Sequence, residues 1–73
     1  MTCKKIVGYR DGVIELYAYD LSVDENKELR EEIEKYFSTV EYSYIDPDSF
    51  RCEISNATYG GLKRLEEELG WSF

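Results

Sequence analysis

The sequence predicts an α+β domain: four strands in a mainly antiparallel sheet, covered on one face by two helices, in the order ββαββα. Three observations predict it. Asp11-Gly12 separates two runs of β-favouring residues, and Asp-Gly at such a junction suits a hairpin because a type I′ turn needs positive φ at both central residues. Residues 22–37, SVDENKELREEIEKYF, repeat apolar side chains at helical spacing. After residue 39, two further alternating runs lead into a second helical pattern. A β-grasp-like arrangement, with the first helix crossing the sheet and the second peripheral, is the alternative.

Residues 4–9 and 13–19 are the first two strands. A two-residue loop pairs Arg10 with Val13, Tyr9 with Ile14 and Val7 with Leu16. That register puts Val7, Tyr9, Ile14, Leu16 and Ala18 on one face, the expected core. Ile6, Val13, Tyr17 and Tyr19 fall on the other face with Glu15 and Lys4, so this second face is rich enough in apolar and aromatic groups to be a contact surface.

The first helix follows. Leu29, Ile33, Tyr36 and Phe37 share one side of it. Ser22 with Glu25 forms a capping box, Asp24 and Glu25 meet the positive end of the helix dipole, and Lys35 meets the negative end. Residues 39–45 and 50–55 are the third and fourth strands, joined by Asp46-Pro47-Asp48-Ser49, in which Pro fixes φ and the aspartates can bond nearby backbone. Their register is open: a three-residue loop puts Tyr42 and Tyr44 on the face of Cys52 and Ile54, a four-residue loop on the opposite face.

Residues 56–69 form the second helix, with a Leu62, Leu65, Leu69 stripe, Asn56 or Thr58 as cap and Gly70 just beyond the end. Gly60-Gly61 weakens its first turn and reads either as a loose entry or as an anion-binding helix start. Trp71 and Phe73 lie on a short tail that folds onto the core or docks on a partner. At an offset of 36 residues Ile14 meets Phe50, Leu16 meets Cys52 and Leu29 meets Leu65. The chain therefore reads as one domain, 1–73, with a structural ββα pseudo-repeat over 3–37 and 39–73.

With 73 residues, the core is thin and leaves little room for a deep substrate cleft. No apolar run reaches the ~20 residues that span a bilayer, and the first ten residues lack a signal-peptide h-region, so a soluble cytoplasmic protein is expected. The net charge of −7 argues against phosphate neutralisation on nucleic acid and against anionic membranes, and it permits a basic protein partner or simply good solubility. There is no His, which removes the usual acid–base catalyst and imidazole metal ligands. Two distant cysteines, Cys3 and Cys52, fall short of a structural zinc site and read as reduced thiols. Asp46 and Asp48 begin like a calcium loop, but Arg51 stands at the turn glycine and Ala57 at the bidentate glutamate. No cofactor or metal is expected.

Two features carry a functional expectation. Glu25, Glu28 and Glu32 line one flank of the first helix, where carboxylates can meet Lys or Arg of a partner or imitate phosphates. Tyr17 and Tyr19 share the non-core sheet face, which suits a protein interface. The expected function is a small acidic, non-enzymatic protein-interaction module, an inhibitor binding a basic or nucleic-acid-binding protein being its concrete form. The alternative is a homodimeric, small-ligand-binding domain using the tyrosine-rich face.

Overall fold

The computed structural model describes residues 2–73. In chain order it contains β1 (Cys3–Arg10), β2 (Val13–Tyr19), α1 (Val23–Tyr36), β3 (Val40–Asp46), β4 (Ser49–Ile54) and α2 (Tyr59–Glu67). The strands form one sheet in the order β1-β2-β4-β3, and every pairing is antiparallel. Ile6, Ile14, Leu16, Ala18, Phe50, Cys52 and Ile54 supply the buried sheet face, and Ile33 of α1 with Leu62 and Leu65 of α2 close over it. Both helices thus enter the same core, which excludes the β-grasp alternative with a peripheral second helix. Among the described residues, the opposite sheet face has no such cover.

Local chemistry places each element. Asp11 and Gly12 have φ of 54° and 76°, as the two-residue hairpin requires. The capping box is complete: the Glu25 N–H donates to Ser22 Oγ at 3.1 Å and the Ser22 N–H donates to Glu25 Oε1 at 2.9 Å. The second helix is shorter than its sequence pattern. Asn56, at φ 54°, cannot continue a helix backwards, and Thr58 caps the start by accepting from the Gly61 N–H at 3.1 Å. A Cβ at Gly61 would approach Phe37 Cε1 to 3.0 Å, so this glycine lets α2 pack against the end of α1. Gly61 therefore serves a close approach, whereas a Cβ at Gly60 would meet only Thr58 Oγ1 at an ordinary 3.6 Å.

Two bulges decide which side chains face the helices. In the first hairpin Tyr9 opposes Ile14, as the turn dictates, but the register shifts between Ile6 and Gly8. Ile6, not Val7, lies opposite Leu16, and Lys4 lies opposite Ala18. The inserted residue reverses the facing of everything before it. Ile6 is buried and Val7 is 43% exposed, so the expected core position of Val7 and the outward positions of Ile6 and Lys4 are corrected together. Gly8 at the shift is a residue that weakens regular pairing and marks such irregularities. The second hairpin has a two-residue loop pairing Asp46 with Ser49, and a second shift between Tyr42 and Tyr44. Tyr42 consequently opposes Cys52 on the helix side, while Tyr44 opposes Arg51 on the open side. Neither loop length considered from the sequence separates these two tyrosines; the bulge does.

The tail folds back. Gly70, at φ 74°, reverses the chain, and the Trp71 N–H donates to the Leu65 carbonyl at 2.9 Å. Ser72 then runs parallel to β1, accepting from the Ile6 N–H at 2.5 Å and donating to the Lys4 carbonyl at 3.1 Å. The Lys4 ammonium donates to the Leu69 carbonyl at 2.5 Å, supplying positive charge beyond the end of α2.

Asn26 is a buried polar residue of α1 that the sequence pattern does not single out. Its Nδ2 donates to the Asp46 carbonyl at 2.6 Å and the Ser49 carbonyl at 3.3 Å, and its Oδ1 accepts from Arg30 Nε at 2.7 Å. It ties the helix to the β3–β4 turn. Asn26→Leu leaves those carbonyls and the guanidinium without this partner, and the expected cost is about 1–3 kcal/mol in chemical denaturation; an unchanged midpoint would show that water replaces the amide.

Candidate functional site

The uncovered sheet face is built by strand alternation. From β2 it receives Val13, Glu15, Tyr17 and Tyr19, from β4 Arg51 and Glu53, from β3 Glu41 and Tyr44, and from β1 Lys5. The registers arrange these side chains in rows across the sheet. One row runs Lys5, Tyr17, Arg51, Tyr44, and the next runs Glu15, Glu53, Glu41.

The tyrosines form one patch. The Tyr17 and Tyr19 rings stack with centroids 5.1 Å apart at 24°, and Tyr44 meets Tyr17 edge-on at 6.5 Å and 62°. Tyr19 and Tyr44 are each nearly 40% exposed. The Tyr44 phenol is raised above its ordinary value by partial burial and by a hydrogen bond with Tyr17, and that of Tyr19 by a hydrogen bond with Cys3. Both hydroxyls therefore keep their protons at neutral pH and offer donors above an aromatic surface.

The carboxylate row sets like charges opposite one another, an arrangement that costs stability in a sheet. Neighbouring strands are ~4.8 Å apart, so the three groups span roughly 10 Å. Arg51 relieves one end of the row: its Nη2 lies 3.1 Å from Glu15 Oε2. Among the described residues no lysine or arginine forms an ion pair with Glu53 or Glu41.

The acidic helix flank lies on the other side of the sheet. Glu25, Glu28 and Glu32 border a cavity of about 320 Å³ with Thr2, Lys4 and Leu29. Glu25 is already engaged, since Thr2 Oγ1 donates to Oε2 while Oε1 serves the capping box. These bonds, Thr2 first and the Ser22 backbone second, hold its carboxyl below the ordinary value of 4.5. A depressed carboxylate stabilises the fold above its ordinary value and stops doing so as pH falls through the folded value. Glu25→Gln is therefore expected to lower the melting temperature at neutral pH, with the gap from the unsubstituted protein closing once pH drops below the carboxylate range. A gap independent of pH would mean that the charge of Glu25 plays no part.

The expected site residues thus divide into two groups. Tyr17 and Tyr19 come together, joined by Tyr44. Glu28 and Glu32 stay on the helix side, and Glu25 is spent within the fold. Sequence reasoning missed Tyr44 and the Glu15, Glu53, Glu41 row. The β2–β4 pairing that builds the row joins strands far apart in the chain, and only Glu15 had been placed on this face.

Other groups are absorbed by the fold. Tyr42 Oη donates to Glu34 Oε1 at 2.9 Å, and burial together with that carboxylate raises its pKa. Burial pushes the Cys52 thiol up to about 12, so it is protonated and unsuited to nucleophilic work. No disulfide joins Cys3 and Cys52. A cavity of about 440 Å³ opens between the end of α1 and the start of α2; the Arg64 guanidinium on its wall lies 5.3 Å from the Tyr36 ring centre and pairs with Glu68 at 3.3 Å. Among the described residues no helix is long and apolar enough to cross a membrane. Set against known protein families, curated proteins and solved structures, the chain matches none.

Proposed function

We propose that this chain is a small, non-enzymatic, cytoplasmic binding module that docks a basic protein on its open sheet face. One observation carries the reading: a contiguous tyrosine patch, Tyr17, Tyr19 and Tyr44, adjoins a carboxylate row, Glu15, Glu53 and Glu41, on the face that neither helix covers. Aromatic rings supply contact area at low conformational cost, and the carboxylates select positive partners and steer their approach. The net charge of −7 acts in the same direction at longer range. Where the partner itself binds nucleic acid, carboxylates standing in for phosphates would occupy its basic surface, and the module would act as an inhibitor.

Two features weigh against the competing readings. A homodimer through this face would bring two copies of the same carboxylate-bearing surface together, adding like charge to a surface that already carries it. Catalysis lacks a histidine, and the buried Cys52 thiol is not activated.

The test is affinity capture from the native source with the tagged chain, identification of the captured protein, and measurement of its affinity for the Tyr17→Ser/Tyr19→Ser variant. Support requires a basic partner whose binding collapses in that variant. A partner bound equally by both proteins overturns the assignment to this face.

A further inference from the structure

Resting on that reading, we infer that the occupant of the open face is an arginine-bearing segment of the basic partner, its guanidinium seated on Glu53 and Glu41 beside Tyr44. The arrangement already holds one guanidinium within the chain. Arg51 rises from the central strand β4 between Tyr17 and Tyr44, and its Nη2 reaches Glu15 Oε2 at 3.1 Å. It satisfies the β2 end of the carboxylate row.

Glu53 and Glu41 continue that row as directly opposed residues on β4 and β3, without an ion-paired lysine or arginine among the described residues. Opposed side chains on neighbouring antiparallel strands stand roughly 5 Å apart at Cβ. A guanidinium spreads five N–H donors over a plane and can bridge two such carboxylates, while an ammonium is a compact point charge. Tyr44 borders the same position from the tyrosine row and is 39% exposed, which leaves part of its side chain within reach of a guanidinium. Charge complementarity and geometry therefore point to the same ligand group. Its arrival would also neutralise a repulsion that the free protein carries.

The α1 flank provides an internal control, because Glu28 and Glu32 are likewise two neighbouring acids on the surface. Hexa-arginine and hexa-lysine peptides serve as probes, with dissociation constants measured by calorimetry at fixed salt. The proteins are the unsubstituted chain, Glu41→Gln/Glu53→Gln and Glu28→Gln/Glu32→Gln; the two variants lose the same charge. Hexa-arginine is expected to bind the unsubstituted chain several-fold tighter than hexa-lysine, to lose about tenfold or more in Glu41→Gln/Glu53→Gln, and to lose no more than about twofold in Glu28→Gln/Glu32→Gln. Equal losses in the two variants would show a diffuse field and overturn the inference, as would equal affinity for the two peptides. Circular dichroism confirms the fold of each variant, and Glu41→Gln/Glu53→Gln should melt no lower than the unsubstituted chain. If these peptide results fail while capture of the native partner still depends on Tyr17 and Tyr19, the inference falls and the docking face stands. If capture is indifferent to those tyrosines, the docking face itself falls.

Discussion

Trp71→Ala is expected to cost about 3–5 kcal/mol, the range for emptying a buried aromatic site. Trp71 is 3% exposed and belongs to the same core as Ile6 and Leu65. Small domains hold roughly 0.05–0.15 kcal/mol per residue, which gives about 4–11 kcal/mol for 73 residues. The loss is therefore a large share of the total, and at the low end of that range the variant is substantially unfolded at room temperature. Urea denaturation measures it. Amide exchange adds a local signature, because the Ile6 N–H donates to the Ser72 carbonyl and loses its partner when the tail detaches. Phe73→Ala is the matched comparison: Phe73 is 70% exposed, and its removal should stay within about 0.5 kcal/mol. Comparable midpoints for Trp71→Ala and the unsubstituted chain would show that the tail adds nothing to the fold.

The second large effect concerns binding. Tyr17→Ser/Tyr19→Ser removes two stacked rings from the open face, and the affinity for the captured partner is expected to fall by about 2 kcal/mol or more, roughly 30-fold. The folded core should survive, because neither ring belongs to it. Its midpoint should fall far less than that of Trp71→Ala. Glu28→Lys/Glu32→Lys provides the contrast. Reversing charge on the helix side should change association rate and salt dependence, as a charge outside the docking face does, and leave the dissociation rate close to its original value. Surface plasmon resonance over a salt series separates the two effects. If Glu28→Lys/Glu32→Lys accelerates dissociation more than the tyrosine pair does, the partner sits on the helices.

Local chemistry made much of the fold legible. Asp11-Gly12 named its hairpin, Ser22 with Glu25 named the start of α1, and the Leu62, Leu65 spacing named the covering face of α2, while Leu69 is buried from beyond the helix end. Each of these signals lies within a few residues of the structure it dictates. Facing was harder to read. Ile6 and Val7 are adjacent and both apolar, so either can point inward, and only the bulge before Gly8 settles the matter. Tyr42 and Tyr44 alternate cleanly in sequence, yet the irregularity at Ser43 sends them to opposite sides of the sheet. Asn26 looked like an ordinary helix residue because its partners, the carbonyls of Asp46 and Ser49, lie some twenty positions away.

The candidate site was legible to the extent that it lies on one hairpin. Tyr17 and Tyr19 are two residues apart on β2, so simple alternation placed them together on the uncovered face. Tyr44 joins them only after the third strand takes its bulge, and Glu15, Glu53 and Glu41 align only because β2 pairs with β4 instead of β3. No local pattern encodes that order. Glu25, Glu28 and Glu32 formed the more conspicuous acidic group in the sequence, but the fold uses Glu25 for its own cap and leaves the pair behind it on the helix side.

The central claim is that the partner meets the sheet and not the helices. Chemical-shift mapping of the isotope-labelled chain, titrated with its captured partner, tests this most directly. The predicted result is a set of perturbations centred on Tyr17, Tyr19, Tyr44, Glu41 and Glu53, with Glu28 and Glu32 of α1 nearly unchanged. Perturbations centred on Glu28 and Glu32, with the β2 and β4 signals unmoved, would contradict it.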